Sequence, residues 1–89
     1  MTKMVCRTST FEKMFKKYQY HTEVITRLEN FINELLAGML DAKRKNHKLW
    51  GPYMWYYEAH LFPDVLVIYK LVDDTYVFAK IGSHSDLFG

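Results

Sequence analysis

A single cysteine, two prolines and four glycines leave this chain of 89 residues few covalent or conformational fixtures. One thiol excludes an internal disulfide, and Cys6 alone cannot build a zinc centre. Its neighbours read as a short first strand, in which it is expected to be a small buried apolar residue. Long hydrophobic runs are missing too. Nothing approaches the roughly 18–20 consecutive apolar residues of a membrane span, and residues 1–7 lack the apolar region of a signal peptide, so a cytoplasmic location with no membrane partner is expected. Nor is there a Gly-rich phosphate loop, a nucleophile elbow, an internal repeat or a low-complexity segment.

What is present suffices to fold. Hydrophobic residues make up 49% and aromatics 17% of the chain, well above the content of a disordered one. The length fits one small domain over residues 1–89, most naturally a layer of helices on one sheet. The net charge of +2 conceals an asymmetry: residues 1–50 carry ten Lys or Arg against five acids, residues 51–89 two against five. A basic half suits a polyanion, through charge neutralisation and counterion release; solvated helix faces are the plainer explanation.

Ser9-Thr10-Phe11-Glu12 has the form of a capping box, with Ser9 as cap, and Phe11, Met14, Phe15 and Tyr18 follow on one helical face. A longer pattern, Val24, Ile25, Leu28, Phe31, Ile32, Leu35 and Leu36, predicts a second helix capped by Thr22 and ended by Gly38. Residues 41–52 read as a loop. Lys43, Arg44, Lys45 and Lys48 there surround His47, a composition suited to holding a phosphodiester backbone near an imidazole.

Three strands follow. Residues 55–61 are aromatic-rich, 65–71 apolar and β-branched, and 75–81 alternate Tyr76, Phe78 and Lys80 against Val77, Ala79 and Ile81. Short turns at Pro63-Asp64 and Asp73-Asp74 make an antiparallel meander. The end of its first strand, the start of its second and the end of its third share one edge, which gathers His60, Asp64 and His84, with Val65 roughly opposite Ile81.

The order and spacing of four motifs then carry a family resemblance. His47 ahead of Leu49-x-Gly51, Glu58-Ala59-His60-x-x-Pro63-Asp64, Leu66-x-Ile68-Tyr69-Lys70, and the run from Gly82-Ser83-His84 to Leu87-Phe88-Gly89 closely resemble the YafQ group of the RelE/ParE toxin superfamily. The resemblance covers essentially the whole chain. It implies an α+β fold of β-α-α-β-β-β order, with a helical hairpin packed on an antiparallel sheet. It also implies cleavage of mRNA on the ribosome and neutralisation by a cognate antitoxin. The family's active-site positions fall on His47, His60, Asp64 and His84, and its terminal aromatic on Phe88. Where the family usually has arginine, three positions before the second histidine, this chain has Tyr57.

RNA supplies its own nucleophile, the 2′-hydroxyl, so such a site needs no serine, cysteine, cofactor or metal. It needs a base, an acid and charge stabilisation. Histidine suits both proton roles because its ordinary pKa of about 6.5 lies near neutrality. His47 is assigned as base, His84 as acid, and His60 with Asp64 as the phosphate-positioning pair, base and acid being interchangeable. Phe88 stacks on a base or packs on the sheet. Three histidines and an aspartate are also an ordinary zinc set, although no helical i, i+4 pair supports it and the basic loop would repel a cation. Histidines merely hydrogen-bonded at a sheet edge, a binding protein without chemistry, and a ParE-like gyrase inhibitor are further alternatives. The antitoxin partner should be acidic or carry an acidic segment.

Overall fold

Alternation along three long strands sets the architecture. The computed structural model describes residues 3–40, 44, 46–49, 51 and 54–88. In chain order these form β1 (Met4–Arg7), α1 (Ser9–Phe15), a 3-10 turn (Lys16–Tyr18), α2 (Thr22–Ala37), β2 (His47–Lys48), β3 (Tyr57–Phe62), β4 (Val65–Val72), β5 (Thr75–Gly82) and α3 (His84–Phe88). The strands make one sheet ordered β1-β5-β4-β3-β2. All neighbours are antiparallel except β1, which runs parallel to β5. The expected α+β order and the meander β3-β4-β5 are present, with β2 and α3 as additions.

One face of the sheet carries the main core. Ala59, Leu61, Val67, Tyr69, Tyr76, Phe78 and Ile81 pack there against Phe11 of α1 and Val24, Leu28, Phe31 and Leu35 of α2. The Phe31 ring lies 5.5 Å from Tyr69 and 6.1 Å from Phe78, and Phe11 lies 5.8 Å from Phe78. Aromatic pairs at such separations contribute about 0.5–1.5 kcal/mol each beyond the area they bury. The other face holds a smaller cluster, Leu66 and Ile68 under Leu87 of α3.

Helix α1 starts one residue earlier than the capping box predicts. Thr8 is the cap: its hydroxyl oxygen accepts from the Phe11 N–H at 3.0 Å and its O–H donates to the Ala79 carbonyl at 2.9 Å. One side chain thus serves the helix and β5 together, while Glu12 pairs with Arg7 at 3.5 Å. His21, not Thr22, occupies the cap position of α2, and Gly38 ends that helix with φ +70°, its N–H turned back on the Glu34 and Leu35 carbonyls.

Two bulges decide what the outer face displays. Between Ile68 and Tyr69 the β4–β5 register shifts, so Tyr69 faces Phe78 but Ile68 faces Lys80, and Ala79 is the extra residue. Strict alternation had put Lys80 with Tyr76 and Phe78; the bulge turns Lys80 outward and brings Ile81 into the core instead. The same shift sets Ile81 opposite Val67, not Val65. A second bulge lies between His60 and Phe62, where α2 reaches over: an Arg27 N–H donates to the Leu61 carbonyl at 3.0 Å, and its guanidinium lies 4.2 Å from the Phe62 ring centroid.

The reading of Cys6 as buried is corrected: it is exposed. β1 is an edge strand in which Val5 reaches the core, and Cys6 pairs with Val77 on the outer face, where it stays exposed.

Candidate active site on the open face of the sheet

The residues read as a loop around His47 are tied down where they are described. Arg44 is buried and makes a two-pronged ion pair with Glu34 of α2, at 2.8 and 3.2 Å. The Tyr69 hydroxyl donates to Asn46 Oδ1 at 2.5 Å, and burial pushes that phenol up, so it remains a donor. His47 and Lys48 then pair with Glu58 and Tyr57 as β2. Arg44, expected as an RNA contact, is thus a buried anchor whose guanidinium is paired with a carboxylate. Lys43 and Lys45 lie outside the described residues. Lys48 is exposed on β2.

These anchors carry His47 onto the same face as His60. Glu58, 5% exposed, stands between them. Its Oε1 lies 3.2 Å from His60 Nε2 and its Oε2 3.9 Å from His47 Nε2. One buried carboxylate thus spans two imidazoles, one half-buried and one exposed. The sequence expectation named Asp64 as the partner of His60. Asp64 sits exposed in the β3–β4 turn, and its field is felt by Lys17 and Tyr18. The carboxylate against His60 is Glu58 because residues two apart on a strand share a face, whereas Asp64 lies beyond the bulge. Such i, i+2 spacing was visible in Glu58-Ala59-His60 and is the signal that would have found it.

His84 opens α3 two residues after Gly82, which pairs with Leu66, itself paired with His60. The start of α3 is fixed by reciprocal bonds: the Ser83 N–H donates to Asp86 Oδ2 at 3.0 Å and the Asp86 N–H to Ser83 Oγ at 3.1 Å. Lys17, from the 3-10 turn, reaches the same Asp86 oxygen at 3.1 Å. The Ser83 N–H, and then Lys17, hold the Asp86 carboxyl below the usual carboxylate range. Gly82 is required by close approach, since a Cβ there would meet Asp86 Cβ at 2.9 Å. At the helix end Phe88 is partly exposed, its ring 5.0 Å from that of His84.

The open face therefore presents His47, Glu58 and His60, with Lys80 two strands across from Glu58 in the row Glu58-Ile68-Lys80. Glu58 and Lys80 are the members that sequence reasoning missed. Tyr57 stacks on Tyr69 at 5.6 Å on the helix side, so the position where the family has arginine does not border these groups. Trp55, two residues before β3, has φ +79° and three-quarters of its surface exposed, a costly backbone for a bulky residue. Among the described residues no three His, Cys, Asp or Glu are disposed to hold a metal ion.

Comparison with known proteins identifies the family and the fold. The mRNA interferase toxin YafQ of Escherichia coli strain B / BL21-DE3 is 33% identical over 81 residues, 89% of this chain and 88% of that protein. The K12 protein of the same name is 44% identical over 50 residues, a stretch that spans about half of either chain (56% of this one, 54% of that one). The crystal structure of the E. coli DinJ-YafQ toxin-antitoxin complex contains a chain that superposes with TM-score 0.86 at 30% identity, covering 100% of both chains. A copper-bound mutant toxin from Helicobacter pylori superposes with TM-score 0.87 at 31% identity, over 99% of this chain and 100% of that one. Residues 3–89 match the family described as "Bacterial toxin of type II toxin-antitoxin system, YafQ", and the chain belongs to that family.

Proposed function

We propose that this protein is a ribosome-dependent endoribonuclease that cuts mRNA by histidine acid–base catalysis, acts in the bacterial cytoplasm, and is silenced by an acidic antitoxin. The relatives named mRNA interferase toxins, and the YafQ chain solved with DinJ, support the activity class and the partner. The observation that carries the chemistry is the Glu58 carboxylate set between His47 and His60 on the sheet face opposite α1 and α2.

With its Nε2–H donated to Glu58, His60 has its tautomer fixed and Nδ1 left to exchange protons or contact phosphate. His47 takes the 2′-hydroxyl proton as that oxygen attacks the adjacent phosphorus. The bond from phosphorus to the 5′-oxygen breaks, and His84 gives the leaving oxygen its proton. The products are a 2′,3′-cyclic phosphate and a 5′-hydroxyl, and no redox partner is needed. Lys80, turned outward by the β5 bulge, stabilises the added negative charge at phosphorus. A well-placed donor of this kind is worth about 10²–10³ in rate. Asp64 and Lys48 steer the strand at the rim, and Phe88 stacks on a base.

The test is to incubate the folded protein with translating ribosomes in EDTA and map RNA ends. New 5′-hydroxyl ends paired with cyclic phosphates are expected. Intact mRNA in the presence of folded protein overturns the proposal, and cleavage that appears only when a divalent metal is restored removes its metal-independent form.

A further inference from the structure

The hairpin from β2 to β3 holds a strained residue that the histidine chemistry does not use. Among the described residues, three other than glycine have positive φ: Trp55 at 79°, Asp73 at 48° and Asp74 at 63°. The aspartates occupy a hairpin turn, and their short polar side chains tolerate that backbone; a bulky indole does not. Burial gives Trp55 little in return, because 75% of its surface stays exposed. Among the described residues no ring, cation or hydrogen-bonding group engages the indole, which leaves its ring available.

The backbone on either side of Trp55 is held. The Met54 N–H donates to the Gly51 carbonyl at 3.0 Å, and the Leu49 N–H donates to the Tyr56 carbonyl at 2.9 Å. These two bonds keep a conformation that the indole itself disfavours. Strain of this kind clusters at catalytic and ligand-binding sites.

Position then says what the ring meets. Trp55 lies three residues before Glu58, so their Cα atoms are at most about 11 Å apart. Glu58 is the carboxylate between His47 and His60. Lys48, exposed and paired with Tyr57, stands on the opposite strand of the same hairpin. An exposed indole this near a strand-cutting site, on a hairpin that also carries a cation, suits single-stranded RNA: unpaired bases stack on aromatic faces while cations take the phosphates. A protein partner calls for a broader apolar patch. Among the described residues of the hairpin the only other exposed large apolar side chain is Met54.

We propose that Trp55 is a stacking platform for a base of the RNA flanking the cut. This rests on reading the Glu58 site as the RNA-cleaving one. It extends the RNA path from Glu58 toward the β2–β3 connection, away from the β3–β4 turn.

The test sets stability against RNA affinity, because the two move in opposite directions. A fluorescein-labelled single-stranded RNA is titrated with the full chain carrying His84→Gln, to prevent turnover, and followed by anisotropy across a salt series. Adding Trp55→Gly relieves the positive φ and is expected to raise the melting temperature, yet to weaken binding about 5- to 150-fold, the range of one lost base stack. The slope of log K against log salt stays unchanged, since no phosphate contact is lost. Trp55→Phe retains most of the affinity. Should Trp55→Gly fail to fold by circular dichroism, Trp55→Asn, which also tolerates positive φ, decides. RNA binding by the folded variants equal to the parent's, as a ring serving a protein partner would give, overturns the platform. So does a melting temperature lowered by Trp55→Gly, or a folded parent that binds no RNA. Cleavage on ribosomes by the unmodified chain and by His60→Ala is measured in parallel. No cleavage by the first, or equal cleavage by the second, defeats the reading of the site itself, so the two failures are told apart.

Discussion

The two faces of one sheet are built to opposite specifications. On the helix side, Phe78, Tyr69 and Ile81 meet Phe11, Phe31 and Leu28 in an aromatic and aliphatic core. On the open side stand Glu58, His60, Lys70 and Lys80, beside the smaller cluster of Leu66, Ile68 and Leu87. Alternation means that each strand contributes to both faces, and changing the parity of a residue changes its job. Stability and chemistry therefore interleave along the chain but separate in space. The bulge at Ala79 is the place where a single extra residue reassigns one cation from the first task to the second.

The contrast breaks most severely from the core side. Phe78→Ala removes a fully buried ring that touches Phe11, Phe31 and Tyr69, and is expected to destabilise by about 3–5 kcal/mol, read as a fall in the denaturation midpoint. On the open face, Glu58→Gln keeps the shape but loses the carboxylate facing two imidazoles. Cleavage is expected to fall about 10- to 100-fold with melting nearly unchanged, as measured by single-turnover kinetics beside circular dichroism. If Glu58→Gln unfolds the protein instead, Glu58 belongs with the core and the division of faces fails.

A smaller effect is expected where α3 joins the open face. The Asp86 carboxyl is held below its ordinary range, so its stabilising contribution is present above the unfolded value, about 3.9, and is lost as pH falls through the folded one. The His84 segment should loosen in acid ahead of the core, visible as faster amide exchange over residues 84–88. Asp86→Asn should abolish that pH dependence while the rest of the sheet stays protected. The smallest effect lies at the far end of the sheet. Asp73 and Asp74 both have positive φ, 48° and 63°, in a two-residue hairpin turn. Asn-Gly suits that turn better and should add about 0.5 kcal/mol of stability, leaving cleavage untouched.

Much of this was legible from spacing. The helix faces, Gly38 as terminator, the meander and the nearness of His60 to the sheet's end all follow from periodicity and turn residues, because those are local in sequence. Three features were not. Thr8 displaced Ser9 as cap because its hydroxyl also reaches Ala79, 71 residues away, a tie that no local motif reveals. Arg44 looked like one more loop cation until its ion pair with Glu34 buried it. Lys80 changed sides because a bulge inserts a residue without any glycine or proline to announce it. Family resemblance pointed at the segment Glu58 to Asp64 and named Asp64 as the partner of His60, whereas the carboxylate 3.2 Å from that imidazole is Glu58, two residues back on the same strand face.

The account's central claim is that the open face cuts RNA with histidines that the fold does not depend on. The most direct measurement compares the unmodified protein with a variant carrying His47→Ala, His60→Ala and His84→Ala. Thermal melting and single-turnover cleavage of mRNA on ribosomes are followed on the same samples. The account predicts melting within a few degrees of the parent, a shift worth about 1 kcal/mol or less, and no detectable cleavage. Cleavage retained by the folded variant would contradict it.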